Sequence, residues 1–165
     1  MQRLFLASKL STRVLNRSFA QAADSAAATQ LTLNFVTPHA PIYAKKTVSQ
    51  VIVPGTAGEF GLTAGHSPIV SELKPGVVTV IHTTGDSEKF FISGGFALNH
   101  AESVADVTTP EAFPLSDLDE SAIRLGLEEA KRNLQIATAG SAAAAVAQIS
   151  IDTYSAMLLA LGKVQ

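Results

Sequence analysis

The sequence predicts a β-sandwich followed by a C-terminal antiparallel α-helical hairpin, and three observations carry that prediction. Short apolar runs recur at close spacing from Leu31 to Thr108 with Gly, Pro and Asp between them, the pattern of an all-β sandwich or barrel and not of alternating strands and helices. After Pro114 the apolar period lengthens from two residues to between three and four. Gly140 then separates two helical segments. The 165 residues are 47% hydrophobic, enough for one ordinary core with an appendage and too few for two large domains.

Residues 31–114 form the expected sandwich. Leu31, Leu33 and Phe35 alternate with Thr32, Asn34 and Val36, a period that suits a half-buried strand, and Pro38 and Pro41 then break the ladder. A second apolar run, Val48 to Val53, is stopped by Pro54-Gly55. Gly58, Gly61, Gly65 and Pro68 follow within eleven residues, so this stretch is expected to be a long, turn-rich loop. Pro75-Gly76 precedes Val77, Val78, Val80 and Ile81, and Gly85-Asp86 lies between that run and Phe90, Phe91 and Ile92 as a hairpin turn would. Further short strands are expected at Gly95 to Leu98 and Ser103 to Thr108.

Residues 115–165 form the expected hairpin. Ser116 and Asp117 are placed to cap the first backbone amides, and Asp119 and Glu120 suit the positive end of the helix dipole. Ile123, Leu127, Ala130, Leu134 and Ala137 make one apolar stripe, while Arg124, Glu128, Lys131 and Gln135 occupy another face. Gly140 ends this helix and Ser141 can cap the next, and so short a turn forces the two antiparallel. Between Arg132 and Lys163 the only charged residue is Asp152, too little polarity for a helix solvated on most of its surface. Its own fold and a partner protein are expected to cover it. Ser141 to Leu161 is about 21 residues, near membrane-spanning length, but Gln148, Ser150, Asp152 and Thr153 cluster at its middle, where a charge is costly. No transmembrane segment is expected.

The amino-terminal end differs in kind. Arg3, Lys9, Arg13 and Arg17 all precede the first acidic residue, Asp24, and are interleaved with Leu4, Phe5, Leu6, Leu10, Val14 and Leu15. A basic, amphipathic, acid-free stretch is what mitochondrial transit peptides show, and Lys9 and Arg13 interrupt the apolar core that a secretory signal would need. Residues 1–19 are therefore expected to be a transit peptide, with cleavage after Phe19, and 20–30 a flexible lead-in. Its removal leaves eight basic against fourteen acidic residues, a net charge of about −6, which argues against nucleic acid as a partner.

The most specific stretch runs from Val51 through Pro54-Gly55-Thr56-Ala57-Gly58-Glu59-Phe60-Gly61-Leu62-Thr63-Ala64-Gly65-His66-Ser67-Pro68. It resembles the glycine-punctuated segment of the delta/epsilon family of ATP synthase subunits, the mitochondrial delta subunits and their bacterial and chloroplast epsilon counterparts. Lys74-Pro75-Gly76-Val77-Val78, Ser93-Gly94-Gly95-Phe96 and a helix containing Glu129-Ala130-Lys131-Arg132 match the same family in the same order. The resemblance covers about Leu31 to Gln165. It implies a subunit that does no bond chemistry and binds the gamma shaft, the ring of c subunits and, in mitochondria, a very small epsilon subunit, transmitting torque at the matrix side of the inner membrane. Glu59 matches an acidic position that faces the polar loops of the c ring, and His66 a position close to gamma. Phe60, Leu62 and Ile69 are candidates for apolar contact area and equally for core.

Nothing points to an independent enzyme. His39, His66, His82 and His100 have no close-spaced ligand pattern, and Ser67 lacks a nucleophile elbow. The glycine loop lacks the lysine-serine ending of a phosphate loop, and the absence of cysteine excludes thiol chemistry. Some bacterial relatives bind ATP on the hairpin through an aliphatic-aspartate motif leading to arginine-alanine. Counted from Arg124, those positions are Glu120, Ser121 and Leu125, so the motif is broken and no cofactor is expected. The competing reading is a free β-sandwich binding module whose hairpin assembles with another partner.

Overall fold

The computed structural model describes residues 30–162; the transit peptide read at 1–19 and all but the last residue of the lead-in read at 20–30 lie outside the described residues. Ten strands come first: β1 (Leu31–Val36), β2 (Pro41–Val48), β3 (Gln50–Gly55), β4 (Gly58–Thr63), β5 (Ile69–Leu73), β6 (Gly76–Ile81), β7 (Ser87–Ile92), β8 (Gly95–Asn99), β9 (Val104–Thr108) and β10 (Ala112–Pro114). A 3-10 turn, Leu115–Asp117, leads into α1 (Glu120–Ile136) and α2 (Ala142–Ala160).

The strands are hydrogen-bonded in the order β10-β7-β6-β3-β5-β8-β9-β1-β2, with β4 paired to β3. One bridge, Gly55 to Leu73, joins β3 to β5, so the curled sheet folds into two five-stranded layers, β10-β7-β6-β3-β4 and β5-β8-β9-β1-β2. The alternation in β1 decides its orientation: Leu31, Leu33 and Phe35 are fully buried between the layers. Val48, Val51, Val53, Leu62, Val78, Val80, Ile92 and Val107 join them in one continuous core. Each fully buried side chain of this size contributes about 1.5–3 kcal/mol. Phe35 and Phe90 meet edge to face, with ring centroids 5.6 Å apart.

Several local expectations are revised. The loop expected after Pro54 is instead a β3–β4 hairpin in continuous register from Gln50–Thr63 to Gly55–Gly58. Its glycines belong to a ladder. Pro41 begins β2 instead of merely breaking the chain, and Val48 to Val53 is shared between the end of β2 and β3. β5 and β10 are strands that the sequence pattern does not announce.

Ser116 and Asp117 do not cap the first helix, because they lie within the 3-10 turn. The cap is Asp119, whose carboxylate accepts from the Ser121 backbone N–H at 2.8 Å and from its hydroxyl at 2.7 Å. These donors hold its pKa below the usual carboxylate value. Ser141 caps α2 as expected, its hydroxyl accepting from the Ala144 N–H. The predicted stripe faces inward, with Ile123, Leu127 and Ala130 buried. Gly126 lets the helices approach: a Cβ there would stand 2.5 Å from the Tyr154 ring. The last turns of α2 lie beside β6, so the hairpin is folded down against the outside of the first layer.

Candidate partner interfaces

Three exposed surfaces are candidates for partner contact. The first is the end of the β3–β4 hairpin. Glu59 sits on β4 opposite Pro54, one step from the Thr56-Ala57 turn, and its side chain is exposed. It borders a hollow of about 540 Å³ between the first layer and the foot of α2, where Lys74, Lys89, Leu115 and Leu159 also contribute. Phe60, its neighbour, points the other way. It is half-buried and packed on the sandwich core, with its ring against Gly55, and Leu62 is fully buried.

The second surface begins at the turn that follows β4. His66 is held locally: its N–H donates to the Thr63 carbonyl at 3.2 Å, and its ring Nδ1 lies 2.8 Å from the Ser67 carbonyl oxygen. Asn99, buried at 3% exposure, donates through Nδ2 to the His66 carbonyl at 2.7 Å, and the Ser103 hydroxyl accepts from the Gly65 N–H. The turn is thus pinned to the β8–β9 connection. Ile69, 38% exposed, opens β5 beside it, and Val70 and Phe96 are 71% and 51% exposed. Val70 pairs with Leu98, and Glu72 with Phe96, which puts these side chains on the outer face of the second layer.

Ile69 and Glu59 therefore belong to different layers and do not form one site. Val70 and Phe96 are surface residues that the sequence reading does not single out. Strand alternation gives the signal: with small Ala97 facing the core, Phe96 and Leu98 must face out.

The third surface is the hairpin. Leu125, Ile136, Val146, Ile149 and Leu159 are all at least 63% exposed. Ala147 and Leu158 are the buried residues of α2. Among the described residues α2 is the one helix long and apolar enough to cross a membrane, with Asp152 accepting from Gln148 at 2.9 Å near its middle. Among the described residues no group of three His, Cys, Asp or Glu could hold a metal ion.

The chain, with apolar patches on both sheet and helices and a core closed between two layers, matches one family model over its sandwich. The profile of the ATP synthase Delta/Epsilon chain beta-sandwich domain covers residues 30–114. The chain belongs to the delta/epsilon family of ATP synthase subunits. It is 40% identical to the mitochondrial ATP synthase subunit delta of Yarrowia lipolytica over 151 residues, 92% of this chain and 90% of that one. The Saccharomyces cerevisiae subunit delta is 43% identical over 138 residues, 84% of each chain. A chain in the mitochondrial ATP synthase of Euglena gracilis, solved with its F1 head and c ring, superposes with a TM-score of 0.78 at 25% identity, covering 98% of this chain and 99% of that one. A chain of the Tetrahymena thermophila central stalk and c ring shares the fold, with a TM-score of 0.55 at 15% identity over 81% and 96% of the two chains. Delta/epsilon-type subunits are structural and not catalytic components of the synthase.

Proposed function

We propose that this protein is the non-catalytic central-stalk subunit that couples the c ring to the gamma shaft of the mitochondrial ATP synthase, on the matrix side of the inner membrane. The observation that carries the reading is the extent of the relatedness: a 40% identical alignment over 151 residues, 92% of the chain, which takes in both sandwich and hairpin. A coupling element needs stiffness and interfaces, and both have physical support here. Two packed layers resist shear, and apolar patches of this kind mark docking surfaces.

Gamma, the c ring and the small mitochondrial epsilon subunit are the partners we assign. Residues 1–19 act as the transit peptide, 20–30 as a lead-in, 31–114 as the sandwich and 115–165 as the hairpin. Glu59 serves as a c-ring contact, since its side chain is exposed and forms no ion pair among the described residues. Ile69 contributes apolar contact area and His66 shapes its turn, while Phe60 supports the hairpin from the core side.

A tagged copy purified from mitochondria in mild detergent should bring down gamma, c and the catalytic-head subunits in stoichiometric amounts. A different partner, with no synthase subunits, would return the protein to the class of free binding modules. Glu59→Lys should weaken retention on the c ring while leaving the thermal midpoint of the isolated chain unchanged. Unaltered retention would remove Glu59 from the interface.

A further inference from the structure

The edge of β5 carries unpaired backbone groups whose directions are fixed by its neighbours. The Thr56 N–H donates to the Glu72 carbonyl at 3.1 Å and the Lys74 N–H to the Pro54 carbonyl at 3.0 Å, flanking the single Gly55–Leu73 bridge to β3. Glu72 therefore directs its backbone away from β8. Because those directions alternate along an antiparallel strand, the N–H and C=O of Val70 and the N–H of Glu72 point out of the sheet on the same side. No described residue bonds to them, since β3 meets β5 only at Leu73.

Exposed Glu72 lies on this edge and exposed Pro68 and Lys74 flank it, but the side chains around Val70 are apolar. Natural edge strands are usually shielded by lysine, proline or a bulge, and β2, the opposite edge of this layer, has Lys45, Lys46 and register shifts. Here Val70 is 71% exposed and Phe96 51%. The adjoining hollow is lined on its apolar side by Pro68, Ile69, Val70 and Leu98 and on its polar side by Asn99, His100 and Glu102, and Asn99 Oδ1 is a buried acceptor with no partner among the described residues. What fits alternating backbone donors and acceptors beside apolar side chains is an extended polypeptide strand.

We propose that β5 receives a strand from another subunit of the synthase, paired to the backbone of Val70 and Glu72 and covering Ile69, Val70 and Phe96. This rests on the rotor reading above. The test is amide hydrogen exchange on the chain alone and in the purified synthase. The Val70 and Glu72 amides should slow by about 100-fold or more on assembly. Equal rates in the two states would overturn the proposal. So would protection in the isolated chain, which rising with concentration would assign the edge to a second copy and at constant level to the chain's own remaining residues. Val70→Pro deletes the N–H at a position where an outward-facing N–H tolerates proline. With an unchanged circular dichroism spectrum it should lower incorporation into the synthase, whereas Val70→Thr should not. If the wild-type chain does not enter the synthase at all, it is the functional reading that fails, and the strand proposal with it.

Discussion

The sandwich and the hairpin stand on different amounts of buried surface. Fifteen buried side chains form one core between the two layers, most of them with no exposure. The hairpin's own cluster has three, Ile123, Leu127 and Leu158, with Leu118, Ile151, Tyr154, Met157 and Leu161 half-covered around them. On α2, Val146, Ile149 and Leu159 stay at least 63% exposed even though α1 and β6 pack beside the helix. Stability within one short chain is thus uneven: the layers hold themselves together, and the helices have apolar surface still to bury. A rotor element joining several partners needs this division, a stiff block to carry load and an adaptable arm to complete on assembly.

The largest predicted effect tests that unevenness directly. Leu33→Ala removes a fully buried side chain from the middle of the core and should cost about 3–4 kcal/mol in urea unfolding. Leu127→Ala, in the thinner helical cluster, should cost about 2 kcal/mol and should lower protection of the helix amides while sparing the strands. Equal costs, or loss of both regions together after Leu127→Ala, would mean that the two fold as one unit.

An intermediate effect is expected at the helix crossing. Gly126→Val places branched carbons where even a single added Cβ would stand 2.5 Å from the Tyr154 ring, and overpacking of this kind costs about 1–3 kcal/mol. Helicity should persist, because valine lowers helix propensity no further than glycine does, but α1 and α2 should separate. Exchange of the amides of Ala147 and Leu158 should accelerate with those of β1 and β3 unchanged. Retention of native hairpin protection would show that Tyr154 simply rotates aside.

How much of this was legible in the sequence depended on whether a strand had one wet face and one dry face. β1 and the inward stripe of α1 did, and periodicity found them. β2 did not: its exposed middle carries Lys45 and Lys46, and Lys45 adopts φ +53 with its N–H bonded to the Asn34 side chain, so no alternation survives. β4 contains Gly58 and Gly61, which look like turn residues. At Gly61 the end of the Gln50 side chain occupies the space a Cβ would take. β5 follows Pro68 and is an edge with both Ile69 and Val70 exposed, and β10 is three residues ending in Pro114. The candidate contacts divided for the same reason. Glu59 and Ile69 are exposed, but Phe60 had no visible alternation to mark its inward side until β4 was known to be a strand.

The smallest predicted effect concerns the side of the sandwich where β2 faces β7. β2 ends the second layer, and in the first layer β10 pairs only with Phe90–Ile92 of β7, so no backbone ladder joins β2 to the start of β7 and side chains close the gap. The Tyr43 hydroxyl donates to one Glu88 carboxylate oxygen, and His82 Nε2 lies 2.9 Å from the other. The Tyr43 ring meets Phe90 edge to face at 6.0 Å. Burial, and then the bond to Glu88, push the Tyr43 hydroxyl well above its ordinary value, so it remains a donor. The Tyr43 bond holds Glu88 below the ordinary carboxyl value of 4.5 against burial, the next largest influence, with His82 and then Lys46 adding to the lowering. A depressed native pKa means that the unfolded chain binds the proton more readily, so this contribution is complete above 4.5 and is lost as pH falls through the native value. Tyr43→Phe should therefore cost about 1 kcal/mol at neutral pH, reduced by solvent screening at half-exposed Glu88, and Glu88→Gln should flatten the acid limb of the stability curve. Measured by urea unfolding from neutral pH down to about 3, the wild type and Tyr43→Phe curves should converge at the acid end. Parallel curves would show that the ring's packing on Phe90, and not the carboxylate, closes this side of the sandwich.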